Sequence, residues 1–355
     1  MTSIVLSSSQ PKSGNLLSPT SNKIWRIVQF ILWLIGAAIF YCLILYPSLG
    51  TLLFWNILIP VAPALLVVAT GLWRNICPLA TTNLLPRHFN LSKKKIMKVP
   101  LQGKLNLLAV VVLFLIVPLR HAIFNSNGPA TAALLFVCIV IGLSMGFFFD
   151  WKSGWCSSLC PIGPVEKLYG ENTIASLPNA HCSQCVNCSV PCPDSTPNFN
   201  PDLSNKTVYH RISNLLIIGG LPGFIFGWFH VPDHSGINNF QTLFAVYKFP
   251  LGGLIVTLLA YLLIKYTLPQ LNSRRLVSFF AAAAVSCYYW FRIPALFGFG
   301  KFADDGLLIN LKTVISPSLI TGLCIALVIF FFWWLVFRKP NKLSWIIRPK
   351  YKLAK

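Results

Sequence analysis

Polar connections separate long apolar stretches along this chain, and eight of those stretches approach the roughly twenty residues that a helix needs to cross a bilayer core. They run at about Ile27–Tyr46, Leu52–Trp73, Leu105–Ile123, Ala130–Asp150, Ser213–His230, Pro250–Pro269, Val277–Leu296 and Pro317–Phe337. Pro60 and Pro63 are expected to kink the second stretch. Gly219-Gly-Leu-Pro222-Gly223 is expected to interrupt the fifth, as a kink or a re-entrant loop. The polar remainder predicts a disordered tail over 1–22, a basic loop over 74–104, a long loop over 151–212 and a basic tail over 338–355. No apolar core follows a basic start early enough for a cleavable signal peptide. The expected organisation is two four-helix membrane units, 23–150 and 213–337, around the insert 151–212.

Composition agrees with the profile. The 355 residues are 55% hydrophobic and 10% charged, against about a quarter charged in a soluble domain. The net charge of +21 first suggests a nucleic-acid partner. Its distribution argues otherwise. With the N-terminus placed in the cytoplasm and the spans alternating, 24 of the 29 lysines and arginines fall on cytoplasmic segments. That is the bias of a multi-pass protein of a bacterial-type inner membrane, with both termini and the 151–212 loop on the cytoplasmic side. The basic segments then contact anionic lipid, and no basic, aromatic-interleaved soluble module points to nucleic acid.

Eleven cysteines change the picture. Cys42, Cys138, Cys287 and Cys324 lie inside apolar runs and read as small buried hydrophobes. Cys182, Cys185, Cys188 and Cys192, followed by Pro193, form C-x2-C-x2-C-x3-C-P, the spacing that wraps a 4Fe-4S cluster. A disulfide pair or a four-cysteine zinc site is the plainer alternative, but zinc loops usually separate two C-x2-C pairs by a longer insert. Upstream, Trp73-x3-Cys77-Pro78 closes the second span and Cys156-x3-Cys160-Pro161 follows the fourth. Aligned on Cys-Pro, spans one–two and three–four read as a duplicated hairpin, with two corners side by side at the membrane face. Cys156 and Cys160, at i and i+4, would share one helical face as a redox dithiol, a ligand pair or a packing corner. The outer-end residues His121, His230, His234, Asp233, Asp304 and Asp305 could form a metal or quinone-head site. Interfacial side chains that snorkel are the simpler expectation, and Arg120 and Arg292 are expected to reach the headgroups.

A multi-span chain with C-x3-C-P after a membrane helix and a ferredoxin-type cysteine run soon afterwards resembles the NapH/NosR-type membrane iron–sulfur proteins. Their wider polyferredoxin group includes the accessory protein of cbb3 oxidase assembly. The resemblance covers about residues 25–200. It implies cluster ligands at Cys182, Cys185, Cys188 and Cys192, with the membrane-proximal motif at Cys156, Cys160 and Pro161. Family members generally carry two four-cysteine runs where this chain has one, and the first corner has Trp73 where the family pattern has a cysteine.

The fold expected is therefore an all-α integral membrane protein of about eight transmembrane helices with a small ferredoxin-like iron–sulfur insert in a cytoplasmic loop. One 4Fe-4S cluster is the simple count. In two-cluster ferredoxins the fourth cysteine ligates the other cluster, so Cys160, Cys156 and Cys77 are alternative ligands, and a second cluster would need His181, a carboxylate or a hydroxide. The expected function is electron transfer from a cytoplasmic donor of ferredoxin, flavodoxin or reductase type to a membrane redox partner or quinone, as a carrier or oxidoreductase subunit. The alternatives are an accessory or metal-reducing protein using the C-x3-C-P thiols, and a transporter with a structural cluster.

Overall fold

In a computed structural model, the described residues are 12–13, 18–95, 97–149, 152–170, 177–178, 180–181, 207–234, 236–237, 240–302, 305–339, 346–347 and 351–352. They are helical apart from connections and two pairings of two-residue strands, Lys12–Ser13 with Tyr351–Lys352 and Leu177–Pro178 with Ile346–Ile347. Among the described residues, eight helical spans are long and apolar enough to cross a membrane.

The first is α1, Pro19–Leu45, which Ser18 starts by accepting a hydrogen bond from the Ser21 amide. The second comprises α2 (Pro47–Thr51), a π-helical stretch (Leu52–Leu58) and α3 (Ile59–Ile76), and continues past a corner into α4 (Pro78–His88). The third is α5 (Val99–Leu119), ending in the π turn Arg120–Phe124. The fourth is α6 (Gly128–Phe148). After a π-helical segment, Lys152–Leu159, and the short α7 (Gly163–Tyr169), the fifth span joins α8 (Val208–Leu215), a π turn (Leu216–Gly220) and α9 (Leu221–Trp228). The last three are α10 (Phe240–Thr267), α11 (Ser273–Leu296) and α12 (Pro317–Phe332), which ends in the π turn Trp333–Phe337.

Three sequence expectations change. Residues 78–88 are not loop: α4 packs against α6 and α1, and Asn83 donates to the Gly142 carbonyl at 2.6 Å. The second span departs from helical geometry at Ala69 rather than at a proline. Near its prolines, the Tyr289 hydroxyl stands inside the helix, donating to the Pro60 carbonyl (2.6 Å) and accepting from the Ala64 amide (2.8 Å). The side chain thus takes over a ladder bond that the helix gives up.

The fifth span is continuous, with neither a break nor a re-entrant loop. One π turn carries the glycine run, and Thr257 of α10 serves the displaced backbone by accepting from the Gly223 amide (3.2 Å). The glycines are an approach surface. A Cβ on Gly223 would stand 2.0 Å from the Gly253 carbonyl oxygen, and one on Gly227 the same distance from that of Phe249. Small residues four apart let two membrane helices touch backbone to backbone. The fifth and seventh spans form the centre, with 67% and 61% of their apolar windows buried against 11% in α1. Their core joins Phe224, Ile218, Tyr261, Phe280, Val285 and Phe331, while α1, α10 and α12 turn Phe30, Leu259 and Leu319 outward.

Candidate functional site

Two Cys-Pro corners organise the basic end of the bundle. A residue before proline is driven out of the helical region, so α3 stops at Cys77 (φ −58°, ψ 119°) and α4 begins at Pro78. The Cys77 amide still donates to the Trp73 carbonyl at 3.0 Å. The second corner ends a wider coil, where the Cys160 amide donates five residues back, to Trp155, at 3.0 Å. Gly163 lets α7 start against this coil, because a Cβ there would lie 2.7 Å from the Cys156 carbonyl oxygen.

The corners meet. Cys77, Cys156 and Cys160 belong to one apolar cluster with Ala80, Leu84 and Trp155, and Cys138 of α6 packs onto it. Cys156 is buried at 7% exposure, not solvent-exposed as a free redox dithiol would be. Burial pushes the Cys160 thiol up to about 12, with Glu166 and Cys77 adding to the rise, and burial pushes Cys156 well above the ordinary thiol range. Unligated, both stay protonated and unreactive; a coordinated thiol is deprotonated outright. Beside them, Arg74 and Glu166 form an ion pair at 2.9 Å with side chains 3% and 5% exposed. The Trp73 indole donates to the other Glu166 oxygen at 2.9 Å.

The same corner holds the lead-in to the cysteine run. Asn75 accepts from the Ala180 amide at 3.0 Å through its side chain, and its carbonyl accepts from Gln29 at 3.0 Å. The Gln29 amide nitrogen lies 3.5 Å from His181 Nε2, and His181 is 1% exposed. Cys182, Cys185, Cys188 and Cys192 lie outside the described residues, as does Asp304.

A polar cluster drawn from the outer-end residues, which the sequence reading set behind simple snorkelling, lies at the opposite end. His121, Asp233 and Asp305 bring ligand-type atoms within 4.8 Å of one another, a group that could hold a metal ion. Here they are hydrogen-bonded among themselves: His121 Nδ1 meets Asp233 at 2.6 Å, its Nε2 meets the Trp228 carbonyl at 3.0 Å, and the Asp233 amide donates to Asp305 at 3.2 Å. Asn125 donates to both Asp233 oxygens at 2.7 Å. Burial raises Asp233, but the hydrogen bond and charge of His121, together with Asn125 and Arg120, outweigh it and hold the carboxyl below its usual range. Burial, then the nearby Asp233 charge, lifts Asp305 to about 6.

Arg120 and Arg292 do not reach for headgroups. They are 4% and 2% exposed, and both approach the Trp55 carbonyl, at 3.5 and 2.8 Å. Arg120 also lies between the rings of Trp55 and Trp228, 4.5 and 5.0 Å from their centroids. Among the other outer histidines, His230 lies over the Phe226 ring, and the His234 amide donates to the His121 carbonyl at 2.6 Å.

Comparison with protein-family models, curated proteins and solved structures finds no match to this chain.

Proposed function

We propose that this chain is a membrane-bound iron–sulfur electron-transfer protein whose 4Fe-4S cluster is held by Cys182, Cys185, Cys188 and Cys192. The observation that carries the reading is the pinning of Ala180 and His181 onto Asn75 and Gln29. Cys182 is the next residue in the sequence, so the lead-in to the run is held beside the Cys77 corner. Bound there, the cluster supplies a reversible one-electron couple. The neighbouring corner suits such a group: the thiols of Cys77, Cys156 and Cys160 lie near the Arg74 guanidinium, a positive charge that favours thiolate over thiol. Trp155, Leu84 and Ala80 pack around those three thiols, and exclusion of water together with nearby charge would tune a couple bound beside them. The basic loops favour the cytoplasmic surface for this end, where an acidic soluble donor would dock and anionic lipid gather. The electron leaves to a membrane redox partner or quinone.

A second reading rests on the convergence of Cys77, Cys156 and Cys160. Three gathered thiols with one further ligand would make a second cluster site, and their burial disfavours the alternative of a thiol-based metal reductase.

Anaerobic purification with iron and sulfide analysis, and EPR after reduction, tests the proposal. Four irons per chain, lost in Cys185→Ser and retained in Cys77→Ser, are expected for one cluster. Eight irons, falling to about four in Cys77→Ser, would establish the second site. Stoichiometric zinc with no iron would overturn the electron-transfer reading altogether.

A further inference from the structure

At the end of the bundle away from the cysteines, Arg120, Asn125, Trp228, Arg292, Lys301 and Asp305 line a cavity of about 40 Å³, with Phe229, Phe291 and Phe302 in its wall. That is room for a few water-sized groups.

The charges around it do not balance. His121 stands between two acceptors, the Trp228 carbonyl and the Asp233 carboxylate. Filling both contacts takes two protons on the His121–Asp233 pair, so the pair is neutral wherever the shared proton sits. Among the described residues lining the cavity, Arg120, Arg292 and Lys301 then face a single carboxylate, Asp305. Protonation of Asp305, which its surroundings favour, widens the excess.

Arg292 carries a second, independent sign. It is 2% exposed, and its Nη2 donates to Trp55 O and Asn56 Oδ1, both at 2.8 Å. Its Nε is buried without a hydrogen-bond partner. The connection after α11 closes over the guanidinium at Gly306 (φ +73°), where a Cβ would fall 2.0 Å from Nη1. An arginine fixed this firmly, with a donor unspent, beside a polar cavity of positive excess, is organised for an acceptor ligand.

We propose that this pocket binds an oxyanion group, a phosphate or a carboxylate, presented either free or on a lipid headgroup. Arg292 and Arg120 recognise the charge from the buried side. Lys301, which is exposed, meets it at the mouth, and the phenylalanines exclude competing water. The site is built from the ends of three spans and the connections beyond them, and is separate from the cysteine end.

The full-length protein in detergent is titrated with inorganic phosphate and with formate, against chloride at equal ionic strength, and followed by calorimetry. The same protein is then placed in nanodiscs of zwitterionic lipid with or without phosphatidylglycerol, and lipid retention is read by native mass spectrometry. Saturable binding of either free anion assigns a soluble ligand, and retention of phosphatidylglycerol without free-anion binding assigns the headgroup. Whichever binds, Arg292→Gln should weaken it at least tenfold. Should Arg292→Gln fail to fold, Lys301→Glu, at an exposed position, should weaken it at least fivefold. Neither free anion binding nor phosphatidylglycerol retained would overturn the proposal, as would binding that a folded charge variant leaves unchanged.

Discussion

Replacing Glu166 by Gln removes one charge and almost no volume, which isolates the electrostatic part of the Arg74–Glu166 pair. The side chains are 3% and 5% exposed and 2.9 Å apart. At an effective dielectric of about 20, two unit charges at that distance attract by about 6 kcal/mol. The amide keeps a single oxygen, which can accept from Trp73 or from Arg74 but not from both, so only part of the loss is recovered. Removing one partner of a buried pair costs about 3–5 kcal/mol in general, and about 3 kcal/mol is expected here. Removing both charges in Arg74→Met/Glu166→Leu leaves no unpaired ion. Its main loss is the acceptor of the Trp73 indole, about 1 kcal/mol. Unfolding in mixed micelles with increasing denaturing detergent, followed by tryptophan fluorescence, reads both variants. The double variant should be the more stable. A Glu166→Gln protein within about 0.5 kcal/mol of the parent would refute the idea that Glu166 compensates a buried cation.

The same assay reads three further expectations. Gly223→Ala places a methyl 2.0 Å from the Gly253 carbonyl oxygen and should cost about 3 kcal/mol, whereas Gly252→Ala, which meets nothing within 4 Å, should be neutral or slightly stabilising. Tyr289→Phe strands the Pro60 carbonyl and the Ala64 amide together and should cost about 2 kcal/mol. Because Asp305 is raised in the folded state to about 6, the folded protein holds the extra proton between the unfolded and folded values. Its contribution to stability therefore falls as pH rises from about 4 to 6, by about 1 kcal/mol once solvent screening of this half-exposed group is allowed for. Asp305→Asn should flatten that interval. Asp233, held low by His121, acts in the opposite sense: it stabilises above the ordinary carboxylate range and loses that contribution on further acidification.

The spans were legible because bilayer crossing demands apolar length. The last is read as Pro317–Phe337, and α12 with its terminal turn occupies the same residues. Helix α4 was not legible, since Pro78-Leu-Ala-Thr-Thr-Asn-Leu-Leu-Pro-Arg-His88 has the polarity of a connection and is helical through contacts with α6 and α1 that no local pattern records. The glycine run of the fifth span looked like a break because its partner, Gly253 on another helix, cannot be inferred from spacing. The polar cluster was named among the outer-end residues but ranked behind snorkelling for a related reason. His121, Asp233, Arg292 and Asp305 come from distant parts of the chain, so no ligand spacing links them. The available signal was an accumulation of arginine, histidine and tryptophan at span ends, which snorkelling alone also produces. The convergence of the Cys77 and Cys160 corners was foreshadowed by their shared Cys-Pro step.

The described residues on either side of the cysteine run are clamped to the bundle. Ala180 and His181 are held by Asn75 and Gln29, and on the return Thr207 caps α8, accepting from the His210 amide at 3.4 Å. There Gly103 leaves α5 only enough room for Thr207 and His210, since a Cβ on it would lie 2.5 Å from the Thr207 hydroxyl. Both ends of the intervening 25 residues (182–206) are thus fixed by the helices, independently of any metal. In an isolated peptide, gathering four thiolates requires the metal to work against the freedom of an open chain. Here folding of the spans has already closed the loop, a restraint that grows only logarithmically with loop length. If the run holds the proposed cluster, the molecule should behave as two cooperative levels: a bundle that persists when metal is stripped, and a segment that can be emptied and refilled while its anchors remain in place.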